Sequence, residues 1–277
     1  MRSARQPRKH HPVTHAGNQL LAPLLDLAVA AGRRILEIYA TDFEIAVKSD
    51  RSPVTAADLA AHQVILAGLQ RLTPDLPVLS EESSHLPYAE RRHWDNYWLV
   101  DPLDGTKEFI SRNGDFTVNI ALVERGEPIV GVVHIPVEHT SYYGCMGVGA
   151  FRRDRDGAAR AIHVHTLTSG PVRVVASRSH RGELLDGYLE KLGPHRIVSR
   201  GSALKFCLLA EGLADVYPRL GPTSEWDTAA GHAVLIAAGG QVMAVDGAPL
   251  RYNSKESLLN PHFIACADPA RDWRRYL

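Results

Sequence analysis

Asp101 and Asp104 stand three residues apart in the word Asp101-Pro-Leu-Asp104-Gly-Thr106, directly after the apolar run Tyr97-Trp-Leu-Val100. Where a buried strand gives way to a turn, two carboxylates at this spacing supply hard oxygen ligands of the kind a divalent cation takes. Leu103 can turn its backbone carbonyl toward the same point, and Gly105 lets the main chain come close to an anion. Lys107-Glu-Phe-Ile110 reads as the first turn of a helix, so the amides of Gly105 and Thr106 can face a phosphate, as helix N-termini do. Metal and phosphate would then share one loop. Taken alone, the six residues would equally make a plain helix start, with Asp before Pro as cap and Asp-Gly as turn.

Three further acidic pieces accompany this loop. The run Pro77-Val-Leu-Ser80 reads as a short strand that delivers Glu81-Glu82 to its end. Glu225-Trp-Asp227 opens the apolar run Thr228 to Ala238, which Gly239-Gly240 closes, so Asp227 sits at a helix N-terminus. Thr55-Ala-Ala-Asp58 has the spacing of a capping box. Individually these are a solvated acidic pair and two helix caps.

Together the residues resemble the magnesium-dependent, lithium-sensitive phosphatases of the inositol monophosphatase superfamily. The signatures are a Glu-Glu pair after a strand, an Asp-Pro-x-Asp-Gly-Thr loop and a Trp-Asp-x-Ala-x-Gly helix start, met here as Glu81-Glu82, Asp101 to Thr106 and Trp226 to Gly231. Within it the chain is most similar to the bacterial 3′(2′),5′-bisphosphate nucleotidases, through Asp101 to Phe109, Thr117 to Ala121, Leu204 to Cys207 and Trp226 to His232. The likeness runs from about Leu20 to the C-terminal region.

The resemblance implies a layered α-β-α-β-α sandwich of the α/β class, with the site between its halves. It implies that Glu81, Asp101, the Leu103 carbonyl, Asp104 and Asp227 hold two or three Mg²⁺ ions, with Glu82 behind them. Thr106, positioned by Asp58, matches the pair that takes the proton from the attacking water. Free threonine is too weak a base to do this unaided. Gly105, Thr106, Asp227, Ser202 and Lys205 of Ser202-Ala-Leu-Lys205, Arg219 and His180 fall where the family binds phosphate and nucleotide.

The implied reaction is hydrolysis of adenosine 3′,5′-bisphosphate at its 3′ position to AMP and phosphate, which clears a by-product of sulfate activation. The sulfated nucleotide is a further candidate substrate. An inositol or sugar phosphatase of the same superfamily is the alternative within this chemistry, and a non-catalytic nucleotide sensor the alternative outside it. Against the sensor stands the joint presence of Asp58, Thr106 and every metal carboxylate.

Magnesium rather than zinc follows from the all-oxygen set, since the 14 histidines show no ligand spacing near these acids. His62, His134 and His232 read as surface residues of helix or sheet. Lys plus Arg (31) balance Asp plus Glu (31), so no global field draws a nucleic-acid polymer or an acidic membrane, and phosphate specificity must be local. The partner expected is a small nucleotide bisphosphate; oligomeric state is left open. Three widely spaced cysteines, Cys145, Cys207 and Cys266, argue for free thiols and a cytoplasmic setting. Peripheral inner-membrane association, implied by bacterial relatives, has no support in the composition, and no run approaches a membrane span.

The elements that must position these residues can be sketched from periodicity. Residues 1–19 form a basic, disordered tail rich in Arg and His. Residues 20–165 form a helix-plus-antiparallel-sheet domain carrying the metal loop. It opens on an amphipathic helix of about twenty residues through Leu21, Leu24, Leu25, Ala28, Ile35 and Ile38. A second helix follows Thr55, with Leu59, Leu66, Leu69 and Leu72 on its apolar side, and then come strand runs at Thr117 to Val123, Ile129 to Ile135 and Ser141 to Phe151. Residues 166–277 form an α/β domain with the nucleotide contacts: strand Val172 to Ala176, helices Leu184 to Leu192, Ser202 to Glu211 and Gly231 to Ala238, and strand Gln241 to Val245.

Overall fold

The computed structural model describes residues 13–47, 53–83, 86–166, 169–176 and 182–277. The first helix, α1 (Val13–Tyr39), precedes a small antiparallel pair, β1 (Ile45–Val47) and β2 (Pro53–Thr55). Helix α2 (Ala56–Leu72) leads to β3 (Val78–Ser80), a 3₁₀ turn at Glu81–Ser83, and the single turn α3 (Tyr88–Arg91). Then come β4 (Asn96–Asp104), α4 (Thr106–Ile110) and the strands β5 (Thr117–Glu124), β6 (Glu127–Ile135), β7 (Thr140–Cys145), β8 (Gly149–Arg153) and β9 (Ala159–Ile162). These pair in the order β3-β4-β5-β6-β7-β8-β9, antiparallel throughout except for β3 beside β4.

The remainder contributes β10 (Val172–Ala176), α5 (Glu183–Leu192), β11 (His195–Ser199), α6 (Leu204–Ala210), β12 (Val216–Arg219), α7 (Glu225–Ala237), β13 (Gln241–Ala244) and β14 (Phe263–Cys266). Their sheet has the order β11-β10-β12-β14-β13, parallel across its first three strands and antiparallel across the rest.

Three buried clusters define the layering. Leu24, Ala28, Ile35 and Ile65 of α1 and α2 pack on Trp98, Val100, Ile120 and Val132 from one face of the large sheet. The opposite face, through Tyr97, Leu99, Ala121 and Val133, meets Phe206, Leu209, Ala230 and Val234 of α6 and α7, which also cover Tyr217 and Phe263 of the small sheet. Val174, Val216 and Ile264 on the outer side of that sheet bury Leu185 and Tyr188 of α5 and Trp273 of the C-terminal turn. The expected five-layer α-β-α-β-α sandwich results, with α6 and α7 as its shared middle. A Cβ at Gly131 on β6 would come within 2.3 Å of the Ala230 carbonyl, so glycine there lets the α7 backbone lie against the sheet.

Several expectations need correction. Helix α1 spans 27 residues with Pro23 inside it and begins at Val13, so residues 13–19 belong to a helix rather than to the tail; residues 1–12 lie outside those described. On α2 the buried face is Ala57, Ala61, Ile65, Gly68 and Leu69, while Leu59 and Leu72 are exposed. Small residues win that face because α1 approaches closely: a Cβ on Gly68 would collide with Leu27. The run Ser141 to Phe151 splits into a hairpin at Gly147, where φ is 82°. Helix α6 begins at Leu204 rather than Ser202, whose φ of 48° is incompatible with a helical turn. His134 and His232 are buried, not superficial, hydrogen-bonding Ser141 Oγ at 2.8 Å and the Tyr252 hydroxyl at 2.9 Å through Nδ1. His62 is half-buried against Ser80 Oγ at 2.9 Å.

Candidate active site

In a regular strand, residues three apart point to opposite faces, so Asp101 and Asp104 could not share a ligand. The pairing of β4 with β5 resolves this. Asp101 lies opposite Asn119 and Asp104 opposite Thr117, three steps on one strand against two on the other. The bulge puts one extra residue into β4, at Pro102-Leu103, and returns Asp104 to the Asp101 face while Leu103 turns into the opposite core. Proline, which has no N–H to give the ladder, fits such a position.

Asp227 comes to the same place from the middle layer. It is the third residue of α7, whose cap Ser224 donates its N–H to Asp227 Oδ2 at 2.8 Å, and Thr223 Oγ1 donates to the same oxygen at 2.7 Å. Carboxylate oxygens of Asp101, Asp104 and Asp227 lie within 4.8 Å of one another. Asn119 Nδ2 donates to Asp104 Oδ2 at 3.2 Å, and the Leu103 N–H donates to Asp101 Oδ1 at 3.1 Å.

This crowding raises every carboxyl involved. Asp101, 1% exposed, is pushed well above the usual range by burial and then by Glu81, Asp104 and Asp227. Asp104 is pushed up to about 7 by burial and then by Asp227, against the opposing charge of Lys205. Burial raises Asp227 as well, opposed by its bonds from Thr223 and Ser224 and by Arg219. Anions so close together, one buried and two half-buried, need a cation, and a donor set made only of oxygen fits a hard divalent ion. Glu81, whose charge is the largest electrostatic contribution at Asp101, acts on that residue from outside the 4.8 Å group of three. The Leu103 carbonyl lies 3.5 Å from Thr106 Oγ1, at the edge of the cluster. Glu82 acts instead on His62, where it opposes the lowering that burial causes.

Asp58 and Thr106 meet as the sequence suggests. Asp58, 2% exposed, accepts from the Thr55 N–H and hydroxyl with Oδ2, both at 2.7 Å, which closes the capping box of α2. Its Oδ1 accepts from Thr106 Oγ1 at 3.3 Å. One carboxylate therefore caps a helix and orients a hydroxyl next to the acidic centre.

A recess of about 130 Å³ opens beside Asp104 and Asp227, with Gly105, Ser202, Lys205, Tyr217 and Arg219 in its wall. Lys205 donates from Nζ to the Ser202 carbonyl at 2.7 Å and lies over the Tyr217 ring at 5.7 Å. Burial lowers its pKa, while Asp104 opposes that effect. Arg219 bonds the Pro222 carbonyl through one terminal nitrogen, and its buried Nε has no protein partner. Ser202 presents its hydroxyl to two backbone carbonyls, Asp104 and Asp115, each at 2.8 Å. His180 lies outside the described residues.

Sequence reasoning passed over Asn119, Thr223 and Asp115. Asn119 carried a signal: Thr117 and Asn119 are polar at alternate positions of an otherwise apolar strand, so both face one side. Thr223 had only its place before the Ser224 cap, and nothing local marks Asp115, whose carboxylate accepts from Arg200 at 2.7 Å and the Gly201 N–H at 3.2 Å.

Comparison with known proteins agrees with this construction. The inositol monophosphatase family profile matches residues 18–271. The 3′(2′),5′-bisphosphate nucleotidase CysQ of Salmonella typhimurium is 53% identical over 246 residues, covering 88% of this chain and 98% of that protein. The CysQ nucleotidase of Escherichia coli K12 is 52% identical with the same coverage. The crystal structure of CysQ from Bacteroides thetaiotaomicron, a bacterial member of the inositol monophosphatase family, matches with a TM-score of 0.78 at 43% identity, over 91% of this chain and 97% of that one. An inositol monophosphatase from Anabaena matches with a TM-score of 0.73 at 27% identity, over 94% and 95% of the two chains. A profile spanning nearly the whole sequence and relatives above half identity, on a fold that brings Asp101 and Asp104 of the loop together with Asp227 of the helix start, make this chain a member of the inositol monophosphatase family.

Proposed function

We propose that the protein is a Mg²⁺-dependent phosphomonoesterase that removes the 3′-phosphate of adenosine 3′,5′-bisphosphate, giving AMP and inorganic phosphate. The observation that carries this reading is the recess wall. Lys205 and Arg219, two cations, stand next to the acidic cluster of Asp101, Asp104 and Asp227. A substrate with one phosphate needs only the acidic centre and its metal; a second phosphate needs fixed positive charge at a set distance, which this pair offers. High identity to bisphosphate nucleotidases supports the same substrate class.

Glu81, Asp101, Asp104, Asp227 and the Leu103 carbonyl would hold two or three ions. Bound there, magnesium neutralises phosphate charge, lowers the pKa of water and stabilises a leaving oxygen. The chain's own residues supply the rest. Asp58 holds the Thr106 hydroxyl so that Thr106 Oγ1 accepts a proton from the attacking water as its own passes toward Asp58 Oδ1. Gly105, with φ at 93°, opens α4 and leaves the N–H groups of that turn facing the scissile phosphate. Lys205 and Arg219 bind the second phosphate, and Glu82 stands behind the metal ligands, where its charge acts on His62.

Among the described residues no helix is long and apolar enough to cross a membrane, and the three cysteines are free and buried. The test is phosphate release with adenosine 3′,5′-bisphosphate, adenosine 3′-monophosphate and inositol 1-phosphate across a magnesium titration. The bisphosphate should give the highest kcat/KM. Faster turnover of inositol 1-phosphate would overturn the substrate assignment, and turnover in excess chelator would overturn the metal centre.

A further inference from the structure

Ser202 does not have the geometry of a phosphate ligand. It stands in the left-handed region at φ 48°, a conformation that a non-glycine residue keeps only when its surroundings demand it. Its hydroxyl has one proton, and two carbonyl oxygens, those of Asp104 and Asp115, each lie 2.8 Å from Oγ. A phosphate offers acceptors only, so a hydroxyl committed to backbone carbonyls has nothing left to donate to it. The Ser202 carbonyl, on the other side of the residue, accepts from Lys205 Nζ at 2.7 Å.

The neighbourhood keeps Ser202 in place. Gly201, just before it, donates its N–H to Asp115 Oδ2 at 3.2 Å, and Arg200 donates to Asp115 Oδ1 at 2.7 Å and to Glu138 at 3.3 Å. A Cβ at Gly105 would lie 2.5 Å from Ser202 Oγ, and one at Gly201 would lie 2.8 Å from the Asp115 carbonyl. The metal-binding turn and the turn before α6 are therefore interlocked with no room between them, and Ser202 is the pin.

We infer that Ser202 is a positioning residue that sets the separation between the acidic centre and the cation for the second phosphate: its hydroxyl holds the backbone at Asp104, and its carbonyl holds the ammonium of Lys205. This rests on the bisphosphate reading above. Selectivity for two phosphates then depends on a fixed spacing between the two turns as well as on the charges themselves.

Ser202→Ala and Ser202→Gly test it, the glycine variant removing the hydroxyl while accepting a positive φ. Thermal unfolding identifies any variant that fails to fold, and steady-state kinetics are taken on adenosine 3′,5′-bisphosphate and on adenosine 3′-monophosphate, with the half-activating magnesium concentration measured for each. The expected result is a fall of about tenfold in kcat/KM on the monophosphate, a rise of about threefold or more in half-activating magnesium, and a larger fall on the bisphosphate. If instead both variants lose only bisphosphate KM, with monophosphate turnover and magnesium response unchanged, Ser202 touches the second phosphate directly and the inference is wrong. Wild-type kinetics in all respects would overturn it too. Should the wild type prefer inositol 1-phosphate, the substrate reading fails by itself, while the magnesium response of the variants still decides whether Ser202 holds Asp104.

Discussion

Replacing Asp104 by Asn should move metal-free and magnesium-loaded protein in opposite directions. Carboxylates within 4.8 Å of one another repel by about 3.5 kcal/mol per pair at an effective dielectric near 20. Asp104 is held at about 7 against an ordinary 3.8. At about 1.4 kcal/mol for each tenfold change in proton affinity, its ionisation costs the metal-free fold about 4 kcal/mol, which solvent screening of a half-buried group reduces to about 2 or 3. The sign follows from linkage. The folded pKa lies above the unfolded one, so the Asp104 contribution to metal-free stability falls as pH rises from about 4 to about 7 and is level beyond, while Asp101, raised further, adds its own fall. Asp104→Asn in excess chelator should therefore unfold at higher urea than wild type at pH 8, with little difference at pH 4. Added magnesium at a hundred times its dissociation constant should stabilise wild type by about 2.7 kcal/mol and the variant far less. Urea denaturation at both pH values, with and without magnesium, measures all of these. A variant less stable than wild type at pH 8 without metal, or one that magnesium stabilises equally, would refute the electrostatic account of the cluster.

Thr106→Val removes the hydroxyl that Asp58 orients while Gly105 still caps α4, so kcat on the preferred substrate should drop by about 10² to 10⁴ with little change in KM or in unfolding temperature. A kcat within threefold of wild type would remove Thr106 from proton transfer. His134, held down at about 4 chiefly by burial, binds its proton more weakly folded than unfolded. Stability must therefore fall as pH drops below about 6.5, by about 2 kcal/mol from this residue at pH 5. His134→Gln should lose that much less than wild type between pH 7 and pH 5, as read by urea unfolding; equal losses would show that His134 is not the titrating group.

The acidic words of this chain were legible because each combines a local structural signal with a chemical one. A strand ending in Asp-Pro-Leu-Asp-Gly-Thr, a strand ending in Glu-Glu, the capping box at Thr55 and Asp227 at the head of an apolar run fix which ends of which elements carry carboxylates, through rules that act over a few residues. The amphipathic helices and the antiparallel runs were legible from periodicity for the same reason, although α1 runs longer than its apolar stripe and Pro23 does not end it. The strands His195–Ser199, Val216–Arg219 and Phe263–Cys266 were not, because β12 and β14 are short, buried runs with no alternation, and β11 mixes polar with apolar residues.

What sequence by itself determined is the inventory: oxygen ligands, a Thr with a carboxylate to orient it, and a Ser-x-x-Lys word ahead of an Arg. Tertiary structure decided how they are used. Only strand pairing reveals the bulge that turns Asp101 and Asp104 to one face, because register is a relation between two strands and appears in neither alone. Only the packing of α7 against the large sheet brings Asp227 within reach of them. The same holds for Ser202, whose letter suggested a phosphate contact: a hydroxyl takes its role from the acceptors around it, and here the fold placed two carbonyls there first.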